Sequence, residues 1–343
     1  MHAAFAPSSR SKIHTAMRNY LKYCDLLGHQ PHLQPGGLTA HDLALYMTWM
    51  ARTLAPGTLS GYLSMGLRHL VEANGQRWTP PTEHYSTNLL LRGIKRTLGV
   101  QQPNRKHAIT LPLLRTIHTQ LDTNHPNAQM FWAACLFLFF TFLRKAHVAA
   151  KGSAPTPQTV LRQDIRLTPD DRFLLTVRHT KTIQFRQRTL KWILPKLADG
   201  ADPCCPTTQL AAYLLRTRGV LEPDAPLFQS QASDGKYLPL KYASFIALFK
   251  EQITLAGLDP SQYAGHSFRR GGATFAMDAG IPDSTIMAMG DWTSDAWRAY
   301  VSATQRLRFS AADLMAKAVA SAAAAPPLYN FDDDDDGSEA LPH

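Results

Sequence analysis

The sequence predicts a mainly α chain with a small antiparallel β-sheet in its second part, an α+β fold in two domains. Three observations carry this. Apolar residues recur at helical spacing through the first hundred residues and again from about Ile109. A polar, proline-bearing stretch from Val100 to His107 separates the two runs. Strand-like segments near Asp164–Leu167, Phe173–Val177 and Thr189–Leu194 interrupt the second run. At 343 residues the chain can hold two cores. The boundaries read as a helical domain over 1–100, a linker over 101–108, a mixed domain over 109–325 and an acidic tail over 326–343.

The elements follow in order. Ser9–Gly28 carries Ile13, Met17, Tyr20, Leu21 and Cys24 at helical spacing and ends at a glycine. Thr39 can cap a second helix that runs to about Leu54. Pro56-Gly57-Thr58 opens a third, with Leu59, Leu63, Leu67 and Leu70 on one stripe. Ser86–Leu98 forms a fourth and carries Arg92, Lys95 and Arg96 toward its end. The second domain opens at Thr110-Leu111-Pro112, because proline is tolerated in a first helical turn. Phe131–Phe142 is an almost wholly apolar helix. Pro206–Arg218, Lys241–Ala256, Ser267–Ala279 and Asp283–Met289 read as further helices, and an Ala-rich helix is expected over Ala311–Ala324. The Asp332–Asp336 run reads as a solvated, disordered tail.

Lys and Arg total 36 against 26 acidic residues, a net charge of +10. Asp332–Asp336 and Glu339 lie in the last twelve residues, and without those six acids the remaining chain carries +16. That surplus favours a polyanionic partner, with nucleic acid first among candidates. Cys24, Cys135, Cys204 and Cys205 form neither a C-x-x-C pair nor a zinc framework, so no metal is expected and a reducing compartment fits. The N-terminus holds no apolar leader, and the apolar run near Phe131 is too short for a membrane span. An intracellular protein with no membrane partner is expected.

One stretch carries chemistry. In Gly265-His266-Ser267-Phe268-Arg269-Arg270-Gly271-Gly272-Ala273-Thr274, a histidine and an arginine three apart share a helix face. Both can point at one phosphate oxygen, and Tyr300, one short helix later, can supply a nucleophilic phenol. Upstream, Thr141-Phe142-Leu143-Arg144-Lys145-Ala146-His147-Val148 ends the apolar helix, and Arg178-His179-Thr180-Lys181-Thr182 sits between two strands.

This order of Arg, Lys, His-x-x-Arg, Trp and Tyr resembles the tyrosine recombinases, the phage-integrase-like family, over about Ser9 to Phe309. The Gly-x-Trp-x-Ser-x-Ala-x-x-x-Tyr pattern of Gly290–Tyr300 looks most like recombinases of eukaryotic mobile elements of the Crypton and DIRS kind. The resemblance implies a two-domain DNA clamp, with an N-terminal helical core-binding domain and a catalytic domain. It further implies cleavage and rejoining of duplex DNA through a 3′-phosphotyrosine, with no metal, ATP or other cofactor. Arg144 and Arg269 would neutralise the transition state, Lys181 would protonate the leaving 5′-oxygen, His266 would handle the phenol proton, and Tyr300 would be the nucleophile. Arg92, Lys95, Arg96, Arg105, Lys106, Arg178 and Arg270 are the candidate DNA contacts.

Alternatives stand beside these roles. Arg144 can be a charge complementing a helix C-terminus, and Lys181 one backbone contact among Arg178, Arg186 and Arg188. The family places an acid three residues after its first arginine, where this chain has His147. Its His/Trp position lies nine before the nucleophile; Asp291 is nine before Tyr300 and Trp292 eight. An indole can donate to phosphate and an aspartate would repel it, which favours Trp292. Family members assemble as dimers and tetramers on DNA, and a eukaryotic host would imply the nucleus. The competing readings are a type IB topoisomerase and a catalytically inactive DNA-binding regulator descended from a recombinase.

Overall fold

The computed structural model describes residues 5–28, 38–99, 105–152, 154–180, 183, 188–198, 200–294, 297–298, 300–301 and 312–317. The chain divides into two compact units, Met1–Asn104 and Arg105–His343.

The first unit is helical: α1 (Pro7–Leu26), α2 (Ala40–Ala51), α3 (Pro56–Gly61), a π-helical turn (Tyr62–Leu67), α4 (Arg68–Ala73) and α5 (Tyr85–Leu98). Helix α2 starts where the sequence places its cap. The Asp42 amide donates to Thr39 Oγ1, and the Asp42 carboxylate accepts from the Thr39 amide, both at 3.1 Å. Helix α1 buries Ile13, Ala16, Tyr20, Tyr23 and Cys24, whereas Leu21 is exposed and Met17 is half-buried. The buried face thus runs through Ala16 and Tyr23 rather than Met17 and Leu21. The reason is a close approach: a Cβ on Gly66 would overlap Ala16, so α1 lies directly on the π turn. That turn also corrects the third helix. Leu59, Leu63, Leu67 and Val71 are buried at a spacing of four, because the wider turn keeps them on one face. Tyr20, Tyr23, Tyr46 and Trp49 form an aromatic cluster at the centre of this core.

The second unit is built around α7 (Pro126–Thr141), with α6 (Leu111–Thr119) before it. Every residue from Met130 to Phe139 is buried, so α7 is a core helix, apolar on all sides. It starts five residues earlier than the sequence reading, at His125-Pro126, where the His125 ring nitrogen accepts from the Asn127 amide at 3.3 Å. Each buried phenylalanine among Phe131, Phe137 and Phe139 contributes about 1.5–3 kcal/mol through burial. Helix α7 ends at Phe142, which adopts the left-handed conformation with φ 53°.

After α7, β1 (Ile165–Leu167), β2 (Phe173–Val177) and β3 (Leu190–Ile193) form an antiparallel sheet in that order. Leu175 pairs with Ile165 and Trp192, and Phe173, Leu175 and Val177 face the core. Helix α8 (Pro206–Arg216) packs on α7. A second hairpin follows, β4 (Gln229–Gln231) with β5 (Tyr237–Pro239), turning at Asp234-Gly235. Next come α9 (Tyr242–Leu255), α10 (Gly265–Asp278) and α11 (Asp283–Gly290). Residues 312–317 are helical. The remainder of the expected Ala-rich helix and the acidic tail lie outside the described residues. No described helix is long and apolar enough to cross a membrane.

Candidate functional site

The C-terminal end of α7, the start of α10 and the end of α11 meet in the second unit. Glycine makes the meeting possible. A Cβ on Gly272 would overlap the Phe139 carbonyl and the Phe142 ring, and one on Gly271 would overlap the Ile109 carbonyl. The backbone of α10 therefore lies directly on α7 and on the segment before α6. At its start, the Ser267 hydroxyl accepts from the Ala264 amide at 3.0 Å.

Arg269 projects from α10 into this junction and is 1% exposed. Its guanidinium donates to the Phe142 carbonyl and, at 2.6 Å, to the Gly290 carbonyl. One side chain thus caps the C-termini of α7 and α11, where a cation is favoured. Its guanidinium carbon lies 3.9 Å from the Trp292 ring centroid and 5.1 Å from that of Tyr300. Trp292 is fixed beneath it because Gly290 leaves room: a Cβ there would overlap the indole. Tyr300 packs on Trp292 with centroids 5.3 Å apart and approaches His266 at 6.2 Å. The Tyr300 phenol also interacts with the Arg269 guanidinium through a hydrogen bond and charge.

Arg144 follows the left-handed turn at Phe142, partly exposed, and its charge acts on Arg269, His266 and His147. His266 keeps part of its surface in solvent, and its pKa lies below the ordinary 6.5, through partial desolvation first and then the charges of Lys145, Arg269 and Arg144. Burial and Arg144 lower the Arg269 pKa as well, but a guanidinium stays charged at neutral pH. The cluster is therefore strongly cationic around a phenol. Two of its donors, Arg269 Nε and Trp292 Nε1, are buried and make no hydrogen bond. Each such donor costs about 1–3 kcal/mol unless an acceptor meets it.

The structure thus brings Arg144, His266, Arg269, Trp292 and Tyr300 together. Lys181 lies outside the described residues. Asp291, the rival of Trp292, accepts from the Thr180 hydroxyl and, at 2.6 Å, from Arg188, and its charge acts on Arg269 and His147. His147, where the family carries an acid, is 1% exposed. Burial first, then Arg144, lowers its pKa to about 4, so it is neutral. It bonds the Gln158 backbone, and its Nδ1 makes no hydrogen bond.

The expected DNA contacts are distributed as follows. Arg92, Lys95 and Arg96 are exposed on α5, opposite the buried Leu91 and Ile94. Arg105 is exposed and its charge acts on Arg270, which is half-buried. Lys106 donates to the Ser261 carbonyl at 2.8 Å, and the His107 amide to the Gln262 carbonyl at 2.7 Å. The stretch read as a linker is therefore anchored to the second unit from Lys106 onward; residues 101–104 lie outside the described set. Arg178 pairs with the buried Asp164, which ties the start of the sheet to the end of β2.

Sequence reasoning missed Lys145, whose ammonium sits 3.5 Å from the Tyr242 ring centroid and whose charge acts on His266. Its adjacency to Arg144 was the available signal. The Gly271-Gly272 pair was likewise a readable sign of close helix packing.

No family model and no curated protein sequence matches the chain. Solved structures do. The XerH site-specific recombinase bound to palindromic difH substrate, in a post-cleavage complex, aligns at TM-score 0.57 and 15% identity, over 88% of this chain and 78% of that one. The Tn1549 transposon integrase in complex with transposon right end DNA aligns at 0.52 and 12%, over 88% and 99%. A lambda integrase dimer bound to a COC′ core site aligns at 0.51 and 14%, over 86% and 89%. At these identities the likeness is one of fold. The mainly helical second unit with its small antiparallel sheets has the tyrosine recombinase catalytic fold.

Proposed function

We propose that this chain is a site-specific DNA recombinase or transposase that cleaves and rejoins duplex DNA through a 3′-phosphotyrosine at Tyr300. The observation that carries the reading is a phenol seated against a cationic cluster that holds two buried, unpartnered N–H donors. A scissile phosphate supplies what that cluster is built to meet: an anion with several acceptor oxygens. In-line attack by the Tyr300 oxygen forms the new P–O bond while the bond to the 5′-oxygen breaks. Charge gathers on the non-bridging oxygens, where Arg144, Arg269 and the Trp292 indole donate. His266, neutral at pH 7 because its pKa is lowered, accepts the phenol proton. Lys181 supplies the proton that the 5′-oxygen takes up. The reverse steps, with a different strand, rejoin the DNA.

The bond energy stays in the phosphotyrosine, so the reaction calls for no metal, ATP or cofactor. The proposal extends to the domain scheme read from the sequence, with residues 109–325 as the catalytic domain and the helical domain as a second DNA-gripping surface through Arg92, Lys95 and Arg96. Arg105, Lys106, Arg178 and Arg270 would flank the duplex. Assembly as a dimer or tetramer on paired sites fits such chemistry. The Gly290–Tyr300 pattern supports a mobile-element enzyme of the Crypton or DIRS kind, which would act in a nucleus.

The test is an SDS-resistant protein–DNA adduct, formed with EDTA on pooled nicked duplexes that include the sequences flanking this gene. Wild type should form it and Tyr300→Phe should not. Tight DNA binding without an adduct in either protein would replace this reading with that of an inactive DNA-binding regulator.

A further inference from the structure

Lys145 stands in a slot built by three elements, and the proposed chemistry leaves it unused. It opens the turn after α7, where its carbonyl accepts from the Val148 amide at 3.1 Å and the Ala149 amide at 2.9 Å. That turn is tied to the start of α9. The Ala150 amide donates to the Leu240 carbonyl and the Tyr242 amide to the Ala150 carbonyl, both at 2.9 Å. Tyr242 is thereby fixed beside Lys145, whose ammonium lies 3.5 Å from the ring centroid. Helix α10 closes the slot at Gly265. A Cβ there would meet Lys145 Cβ and Cδ at 3.3 Å and the Tyr242 ring at 3.4 Å, so glycine lets the start of α10 lie along the lysine stem without crowding.

The ammonium so placed has no counter-charge. Among the described residues it makes no hydrogen bond or ion pair, and its polar contact is the ring face. Arg144 precedes it, His147 is buried and neutral, and the charges acting on His266 are those of Lys145, Arg269 and Arg144. The carboxylate that acts on Arg269, that of Asp291, accepts from Arg188 at 2.6 Å. A ring face holds a cation only weakly where solvent reaches it, and Lys145 is half-buried. Ordering a long side chain costs rotamer freedom, and a third cation beside two guanidinium groups costs repulsion. The fold gains little from this arrangement. A polyanion meeting the cluster reverses the sign of that repulsion and finds the ammonium already in place.

We infer that Lys145 is a phosphate-binding residue of this site: seated on Tyr242 beside Arg144 and His266, its ammonium donates to a phosphate of the DNA that the cluster grips. Duplex DNA as the partner comes from the recombinase reading; the contact itself does not need the cleavage step.

The test uses Lys145→Met, which keeps an unbranched stem over Tyr242 and removes the charge. It is made in the full chain with Tyr300→Phe, so that binding is read without cleavage, and compared with Tyr300→Phe alone. The probe is the duplex that Tyr300→Phe selects from the nicked pool, carrying single methylphosphonates at successive positions of each strand. Each methylphosphonate removes one phosphate charge. On the unmodified duplex Lys145→Met should flatten the salt dependence of binding by about 0.9. At one position a methylphosphonate should weaken binding by Tyr300→Phe and leave the Lys145→Met protein no weaker than on the unmodified duplex. An unchanged salt slope, or equal methylphosphonate losses in both proteins at every position, would overturn the inference, since a merely structural lysine predicts that equality. Cleavage then tells which phosphate is held. With Tyr300 restored, Lys145→Met should slow adduct formation by about 10²-fold where the coupled position is the scissile phosphate, and leave the rate at saturating protein near wild type where it is a flanking one. Should wild type form no adduct, the recombinase reading falls while the binding scan still decides Lys145; selection of no duplex at all would overturn both.

Discussion

His147 gives the sharpest quantitative expectation. It is buried beside Arg144, and its pKa is lowered from 6.5 to about 4. The unfolded chain therefore binds a proton in the interval where the folded chain does not. Stability contributed by the neutral imidazole is present above pH 6.5 and is lost as pH falls toward 4. The full difference corresponds to about 3 kcal/mol, and about 2 kcal/mol of it is expressed between pH 7 and pH 4.5. Other groups titrate in that interval too, so the comparison is with His147→Gln, which carries no titrating ring. Denaturant unfolding followed by tryptophan fluorescence at the two pH values should show wild type losing about 2 kcal/mol more than the variant. Equal losses in the two proteins would refute the argument, since they would mean that His147 titrates alike folded and unfolded.

Three other outcomes follow from the site. The kcat/KM for cleavage should fall on an acid limb set by a pKa below 6.5, because His266 must be neutral to accept the Tyr300 proton; His266→Gln should abolish that limb, and a limb unchanged in the variant would contradict the role. Gly290→Ala should displace the Trp292 ring and slow adduct formation on the order of 10²-fold with helix content retained, as circular dichroism would report. Replacing Arg92, Lys95 and Arg96 together by Gln should flatten the salt dependence of DNA binding by about 0.9 for each phosphate that these side chains neutralise. A slope identical to wild type would remove α5 from the interface.

The helices were legible wherever a strong local signal existed. The Thr39–Asp42 cap, the Thr110 cap with Pro112 in the first turn, and the apolar α7 could each be read from types and spacing alone. What was not legible depends on partners distant in sequence. The π turn at Tyr62–Leu67 reflects the fit of Gly66 onto Ala16, which no local pattern encodes. The β4–β5 hairpin was readable at Asp234-Gly235, but its strands are three residues each and polar. In the candidate site, His266 and Arg269 were visible as neighbours on one helix. Their meeting with Arg144, Trp292 and Tyr300 is a tertiary event that spacing could only imply. Asp291 illustrates the limit: counting residues to Tyr300 made it a rival of Trp292, whereas among the described residues its carboxylate accepts hydrogen bonds from Thr180 and Arg188, which no spacing encodes.

The central claim is that Tyr300 forms the bond to DNA. Mass spectrometry of the nuclease- and protease-digested adduct reads this directly. The account predicts a nucleotide joined through its 3′-phosphate to Tyr300, with a 5′-hydroxyl on the released strand. A nucleotide on any other residue, or a 5′-phosphate linkage, would contradict it.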